Sequence, residues 1–380
     1  MKEWQQILDL WSRVEELGET AVLATVVKTQ GSSYRLPGAR LLLTSRGERV
    51  GSVSGGCLED DLVKKGWWLT ERGPVIRRYD TTPDGEIAAE YGLGCNGIIH
   101  VLLERLTPGE STVLELIREV RTLRKPAAFA CVVSPKDRAG ECLAIDSNGR
   151  VQSGPTSTVA TNEELIGAMR SALQARTSHH LVLDSGEEVF IETLAPPVRL
   201  LVFGAGDDAK PVTALGRFLG WQVFVSDGRS HYARPEKFPD ADKVLVYDQD
   251  ASVLTEPVDD WTVAVSMTHS YSQDLRVLKE LAKQPLRYLG LLGPKSRTLR
   301  MLSEAGLDAS QMLPELHAPM GLDIGADGPE QVALSVIAEI QATLNGRSGG
   351  LLRQRIGSIH AREANDDDPA AAWVQSIACA

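Results

Sequence analysis

Cysteine is scarce and unpatterned in this chain. The five thiols, Cys57, Cys95, Cys131, Cys142 and Cys379, form no CxxC pair and no zinc-type spacing, which argues against a disulfide framework or a cysteine-bound zinc. Basic charge is short as well: 40 Lys and Arg face 51 Asp and Glu, a net charge of −11. With no local basic run, nucleic acid is not expected as a partner. Long apolar runs are missing too. The stretches around Leu200 and Leu291 are strand-sized, far below the ~20 residues that cross a bilayer. The opening "MKEWQQILDLWSRVEEL" carries acids throughout and no cleavage-site pattern, unlike a signal peptide. A cytoplasmic protein with no membrane partner is expected. HExxH, the phosphate-binding GxxxxGK[ST] and a strand-to-helix GxSxG elbow are all missing, which leaves hydrolysis poorly supported.

What is present is a chain of 380 residues, enough for two or three domains, with an ordinary globular balance of 43% apolar and 24% charged residues. Trp4, Ile7, Leu8, Trp11, Val14 and Leu17 follow a helical stripe over residues 3–17. "AVLATVV" (21–27), "ARLLLTS" (39–45) and "RVGSVS" (49–54) read as strands, the last two joined as a hairpin across Arg46-Gly47-Glu48. A helix follows Cys57 to about Thr70, with strands near 75–80 and 97–103. A weaker echo comes downstream. "ACVVS" (130–134) answers "ATVVK" (24–28), and "CLAIDSNGRVQSG" (142–154) answers "LLLTSRGERVGSV" (41–53), ahead of a helix over 161–175 and two strands over 180–192. The expectation is an α+β domain, residues 1–195, made by internal duplication of about 20–106 and 126–193. Only the first copy has the "TQGSSYRLPG" loop and the "SGGC" corner. A motif that one copy omits is not demanded by the shared fold, so function accounts for it better.

Beyond the prolines of "LAPPV" (194–198), strands alternate with helical segments, which predicts βαβ units on a parallel sheet over 198–345; residues 346–380 read as a tail. In "LLVFGAGDDAKPVTALGRFLGWQVFVSDGR", Gly204, Gly206 and Ala209 fit GxGxxA between strand and helix, where backbone approaches a pyrophosphate. Asp227 stands where an acid bonds a ribose hydroxyl. The pattern is Rossmann-like. Asp207 and Asp208 cut the other way, since they repel a phosphate although they suit a bare helix start. A second anion site is offered by Lys295, Ser296 and Arg297, which open a helix after "YLGLLGP". A glycine-rich turn with His317, Asp323 and Gly325 precedes a helix that begins at Pro329.

At "GSVSGGCLEDDLV" (51–63), Gly55 and Gly56 permit a sharp turn that sets Cys57 at a helix start, with Glu59, Asp60 and Asp61 in the first turn. A helix N-terminus lowers a thiol's pKa and carboxylates raise it, so Cys57 does not read as a strongly activated nucleophile. A thiol that ligates a soft metal needs no such activation, because coordination itself drives deprotonation. Neighbouring donors come from Ser32, Ser33 and Arg35, the last suited to clamp a phosphate, and from Cys95 and Asn96 in "YGLGCNG".

"ATVVKTQGSSYRLPGARLLLTSRGERVGSVSGGCLE" with "YGLGCNGIIHVLLE" resembles the N-terminal signature of the XdhC/CoxI family, accessory proteins in the maturation of xanthine dehydrogenase and carbon monoxide dehydrogenase. "LLVFGAG", "MTH", "YLGLLGPKSRT" and "HAPMGLDIGADGPEQVALSVIAEI" resemble the Rossmann domain of the same family. The resemblance implies a chaperone rather than a catalyst. It would bind the molybdenum cofactor as molybdopterin or a nucleotide-extended form, support sulfuration with a cysteine desulfurase, and deliver the product to an apo molybdenum hydroxylase. Cys57 is then the cofactor-linked cysteine, on the molybdenum, and Cys95 a second thiol in a turn that commonly reads GCGG. Many members have GAGHxA where this chain has "GAGDDA", so the role of that histidine does not carry over. The expected assembly is a homodimer with the cofactor held between the two domains. Gly55, Gly56, Cys57, Ser32, Ser33, Arg35 and Cys95 would meet it from one domain, and Gly204, Gly206, Ala209, Asp227, Lys295, Ser296, Arg297 and Gly325 from the other. The alternative is an NAD(P)-dependent oxidoreductase that uses the Rossmann site, and a third reading is a scaffold without cofactor.

Overall fold

The computed structural model describes residues 2–31, 33–56, 58–82, 97–152, 162–248, 251–307 and 315–354. Two compact units divide the chain, one spanning Glu3–Pro196 and one that begins at Pro197.

The first unit opens with α1 (Lys2–Glu16), whose stripe buries Ile7, Leu8, Leu10, Trp11 and Val14. Strands β1 (Ala21–Gly31), β2 (Arg40–Thr44) and β3 (Arg49–Gly51) precede α2 (Glu59–Leu69), and β4 (Val75–Asp80) and β5 (Gly97–Leu106) follow it. They form one antiparallel sheet in the order β3-β2-β1-β5-β4. After α3 (Thr112–Leu123), the strands β6 (Ala127–Ser134), β7 (Cys142–Ile145) and β8 (Val151–Gln152), helix α4 (Glu163–Ala175), and strands β9 (His179–Val182) and β10 (Glu188–Leu194) repeat the layout. The second sheet runs β8-β7-β6-β10-β9, the same order as the first.

Alternation along the strands shows how the sheets are covered. Val22, Ala24 and Val26 of β1 pack with Leu58 and Leu62 beside α2, while Ala128, Ala130 and Val132 of β6 pack with Leu165, Ile166 and Met169 of α4. The opposite faces, with Leu23 and Val27 from β1 and Phe129, Cys131 and Val133 from β6, share a single core with α1 and α3. A strand buried on both faces reads as a continuous apolar run, which is how "AVLATVV" and "AAFACVV" look. Helix α3 has a local signal that the strand-centred reading passes over: Ser111 caps it by accepting from the Leu114 N–H, ahead of an apolar stripe.

The second unit runs through β11 (Arg199–Phe203), α5 (Ala209–Phe218), β12 (Gln222–Asp227), β13 (Lys243–Val246), β14 (Thr262–Ser266), α6 (Tyr271–Leu281), β15 (Leu289–Leu291), α7 (Lys295–Ala305), β16 (Leu316–His317) and α8 (Pro329–Leu344), with no α-helix among the described residues between β12 and β14. All six strands are parallel, in the order β13-β12-β11-β14-β15-β16. This is the doubly wound Rossmann arrangement, and its order reverses between β11 and β14. The carboxyl ends of those two strands therefore frame the crevice where open α/β sheets take ligands. Strand β16, two residues long, is too short to leave a sequence pattern. Among the described residues no helix is long and apolar enough to cross a membrane.

Candidate functional site

The corner before α2 is organised around a carboxylate. Glu59 is 4% exposed. Its Oε1 accepts from the Ser52 hydroxyl at 2.8 Å and from the Val53 and Ser54 N–H groups at 2.9 and 3.0 Å. Its Oε2 accepts from the Ser54 hydroxyl at 2.5 Å and the Gly56 N–H at 2.9 Å. The two serines close the turn further: Ser52 Oγ accepts from the Gly55 N–H and Ser54 Oγ from the Leu58 N–H. Burial pushes the Glu59 carboxyl up, but the bonds from Ser54, Ser52 and the backbone outweigh it and hold the group down at about 2. Strand β3 stops at Gly51, short of the expected 54, because Ser52 to Ser54 turn onto Glu59 instead of pairing with β2.

Gly55 and Gly56 adopt φ of +84° and +126°, a region that disfavours side chains. A Cβ at Gly55 would lie 2.8 Å from the Tyr34 ring, whereas one at Gly56 would meet nothing within 4 Å. The other acids of the turn are also engaged. Asp60 pairs with Arg49 at 3.0 Å; Asp61, buried, accepts from the Tyr79 hydroxyl at 2.9 Å and pairs with Lys65 at 2.5 Å. The helix start is therefore not a free acidic cluster. Cys57, Ser32 and Cys95 lie outside the described residues.

In the β1–β2 loop, the buried Ser33 donates its hydroxyl to the Arg35 carbonyl at 2.6 Å. The Arg35 guanidinium lies 2.6 and 2.9 Å from the two Glu3 carboxylate oxygens. A phosphate clamped by Arg35 would therefore share the guanidinium with Glu3.

The Rossmann corner departs further from expectation. Gly204, at φ +114°, is needed by the chain itself: a Cβ there would collide with the Met267 carbonyl, just past the end of β14. The space beside Gly206, where a pyrophosphate is expected, holds Asp208 Oδ1, 2.5 Å from the position of a Cβ. Asp208 occupies the N-cap position of α5 but its side chain makes no capping bond; its Oδ2 lies 2.6 Å from His269 Nε2, and Asp207 pairs with Lys210 at 2.7 Å. Ala209 is fully buried under the turn.

Asp227 is fully buried and saturated, with Oδ2 accepting from the Ala205 N–H and Arg229 Nη2 and Oδ1 from the Arg229 N–H and Nε, all at 2.8–2.9 Å. All four of these bonds come from the chain itself, so a ribose contact at Asp227 would have to compete with Arg229 and the Ala205 N–H. Burial raises its pKa, but the Arg229 side chain and the Ala205 N–H bring the net direction down. Arg297 is likewise committed, at 2.6 Å from the buried Asp274, which also accepts from the Ser266 and Thr268 hydroxyls at 2.7 Å. Lys295 and Ser296 stand exposed at the start of α7, and Gly325 is exposed at φ +71°. His317 stacks on Tyr288 at 4.3 Å and faces Glu339 at 3.3 Å.

Three participants escape the sequence reading. Glu59 passes for an ordinary first-turn acid, although the serines five and seven residues before it are the signal of its role. Tyr34 carries no motif of its own. The Asp208–His269 pair joins loops 61 residues apart, a separation no local pattern reports.

Residues 15–80 match the XdhC and CoxI family, and residues 200–340 match the XdhC Rossmann domain. The chain is 33% identical over 329 residues to a probable xanthine dehydrogenase subunit from Bacillus subtilis (strain 168), covering 86% of this chain and 93% of that protein. It is 26% identical over 328 residues to the molybdenum cofactor insertion chaperone PaoD of Escherichia coli (strain K12), covering 85% and 83%. A crystal structure of a xanthine dehydrogenase from Bacillus halodurans has the same fold, with a TM-score of 0.74 at 29% identity over 92% of this chain and 97% of that one. Similarity that runs through both units, with both family patterns in order, means that the chain belongs to the XdhC/CoxI family.

Proposed function

We propose that this chain is a molybdenum cofactor chaperone. It takes the pterin-bound molybdenum as cargo, supports sulfuration of the metal with a cysteine desulfurase, and hands the product to an apo hydroxylase of the xanthine dehydrogenase or carbon monoxide dehydrogenase type. It works in the cytoplasm as a homodimer. The observation that carries the reading is the Glu59-centred corner: five hydrogen bonds to one buried carboxylate hold the bare Gly55-Gly56 backbone open, directly before Cys57 in the sequence. The β7–β8 hairpin of the second sheet ends in no such motif. A carrier must release its cargo, and a preformed turn with an accessible backbone binds without the ordering cost that a mobile loop would add.

Cys57 is assigned the thiol contact to molybdenum, with Ser32 and Cys95 as further donors. Exposed Lys295 and Ser296 at the start of α7 are assigned an anion contact. The names of the relatives support the same reading, one being a molybdenum cofactor insertion chaperone and another a probable xanthine dehydrogenase component. The NAD(P)-dependent oxidoreductase is less well supported, because Asp208 stands at the pyrophosphate position and Asp227 is saturated.

The test is anaerobic. Wild-type and Cys57→Ala proteins are incubated with molybdenum cofactor and desalted, and retained pterin is read by fluorescence after oxidation, with NADH and NADPH titrations alongside. Pterin retained by the wild type and lost in the variant is the expected outcome. Saturable nicotinamide binding with no retained pterin would replace the chaperone by the oxidoreductase.

A further inference from the structure

Tyr34 is 70% exposed, yet its backbone is tied down on both sides. Ser33 donates to the Arg35 carbonyl, Arg35 is held by Glu3, and the Gly38 N–H donates to the Val26 carbonyl at 2.8 Å. The ring rests on Gly55: its Cδ1 and Cε1 both come within 2.8 Å of where a Cβ would stand, so only glycine leaves room for it. Among the described residues, no hydrogen bond engages the Tyr34 hydroxyl. An isolated surface aromatic needs no explanation. A fixed aromatic laid on the bare backbone of a motif found in only one of the two sheets does need one, and the corresponding β6–β7 connection, "PKDRAGE", carries no aromatic at all.

We propose that Tyr34 is the stacking platform for the flat pyrimidinone ring of the pterin cargo. The inference rests on the chaperone reading and adds to it the residue that recognises the organic part of the cofactor. The Cδ1–Cε1 side of the ring is braced by Gly55, and the residue as a whole is 70% exposed, which leaves ring surface for a ligand. A planar heterocycle laid on that surface displaces water from two apolar surfaces at once and meets a ring already ordered, so little conformational freedom is lost on binding. Leu36, two residues on in the same loop, is 48% exposed. Stacking of this kind tolerates change at the metal, as a carrier of both oxo and sulfido forms requires.

The test compares wild type with Tyr34→Phe, Tyr34→Ala and Tyr34→Leu, using molybdenum cofactor released anaerobically from a denatured molybdenum hydroxylase. Retained pterin is measured across a concentration series, and thermal melts by circular dichroism check folding. Tyr34→Phe should bind within about twofold of wild type, and the Ala and Leu variants roughly tenfold more weakly, the scale of losing one stacked ring. Leu keeps apolar bulk without a stackable ring, so a folding defect confined to the Ala variant does not decide the result. Wild-type affinity in both Ala and Leu, or a Phe variant as weak as Ala, would overturn the stacking role while leaving the cargo reading in place. Wild-type protein that retains no pterin would overturn the cargo reading and the platform together.

Discussion

Arg40 and Glu192 stand 152 residues apart in sequence and form a two-pronged ion pair, Nη1 to Oε1 at 2.9 Å and Nη2 to Oε2 at 2.5 Å, with both side chains almost wholly buried. The pair joins β2 of the first sheet to β10 of the second. Gly38 sits against it: its carbonyl accepts from Arg40 Nη1, and a Cβ there would come within 2.7 Å of Glu192 Oε1.

Removing one partner strands the other charge in the interior. Glu192→Ala should therefore cost about 3–5 kcal/mol, whereas the double variant Arg40→Met/Glu192→Leu should recover most of that loss, because well-packed apolar groups replace a buried pair at little cost. Urea unfolding of the single and double variants measures both. A single variant as stable as wild type would show that the pair does not bind the two sheets together.

Glu59 predicts a stability loss in acid. Its carboxyl falls from the ordinary 4.5 to about 2 in the folded chain, so its contribution is complete above about pH 4.5 and drains away as pH drops towards 2. The shift corresponds to on the order of 3 kcal/mol. Glu59→Gln should begin less stable than wild type at neutral pH and close the gap in acid. A gap that stays constant down to about pH 3 would exclude this linkage.

Glu104 has the opposite sign. Burial lifts its carboxyl to about 7 although Arg40 pulls it back. The folded chain thus holds this proton more tightly than the unfolded chain, and the stabilisation, full below about pH 4.5, is lost as pH rises through about 7. Glu104→Gln should flatten the stability profile in that window and exceed wild type at mildly alkaline pH. Urea midpoints across the window, compared between the two proteins, decide it; parallel profiles would place the titration elsewhere.

In the second unit, Asp227 and Arg297 act as braces. Asp227→Asn removes the charge from four hydrogen bonds at the ends of β11 and β12 and should cost about 2 kcal/mol. Arg297→Ala leaves Asp274 buried without its cation and should cost about 2–3 kcal/mol. Denaturant unfolding followed by tryptophan fluorescence reads both losses. An acid that served only a ribose would behave otherwise, with unchanged stability and weakened NADH binding in Asp227→Asn.

Much of the architecture was legible in the chain because its signals are local. The stripe of α1, the hairpin of β2 and β3, the strand and helix alternation beyond Pro197 and the glycines of "GAG" all act through neighbours a few residues away, where spacing alone dictates which side chains share a face. The same locality hides the long-range and backward contacts that a site residue makes. GxGxxA followed by an acid at the end of the next strand suits a dinucleotide, but Arg229, two residues beyond Asp227, turns back to saturate that acid.

Local spacing in the chain dictates most of its helices, strands and sharp turns and which residue types crowd each loop. Tertiary structure alone decided which polar groups are left for a ligand. Glu3 claims Arg35, His269 claims Asp208, Asp274 claims Arg297 and Glu192 claims Arg40, each across at least 23 residues of chain. A buried or half-buried charge takes the nearest partner that the packed elements bring to it, and that partner depends on how distant segments come together, which residue spacing does not encode.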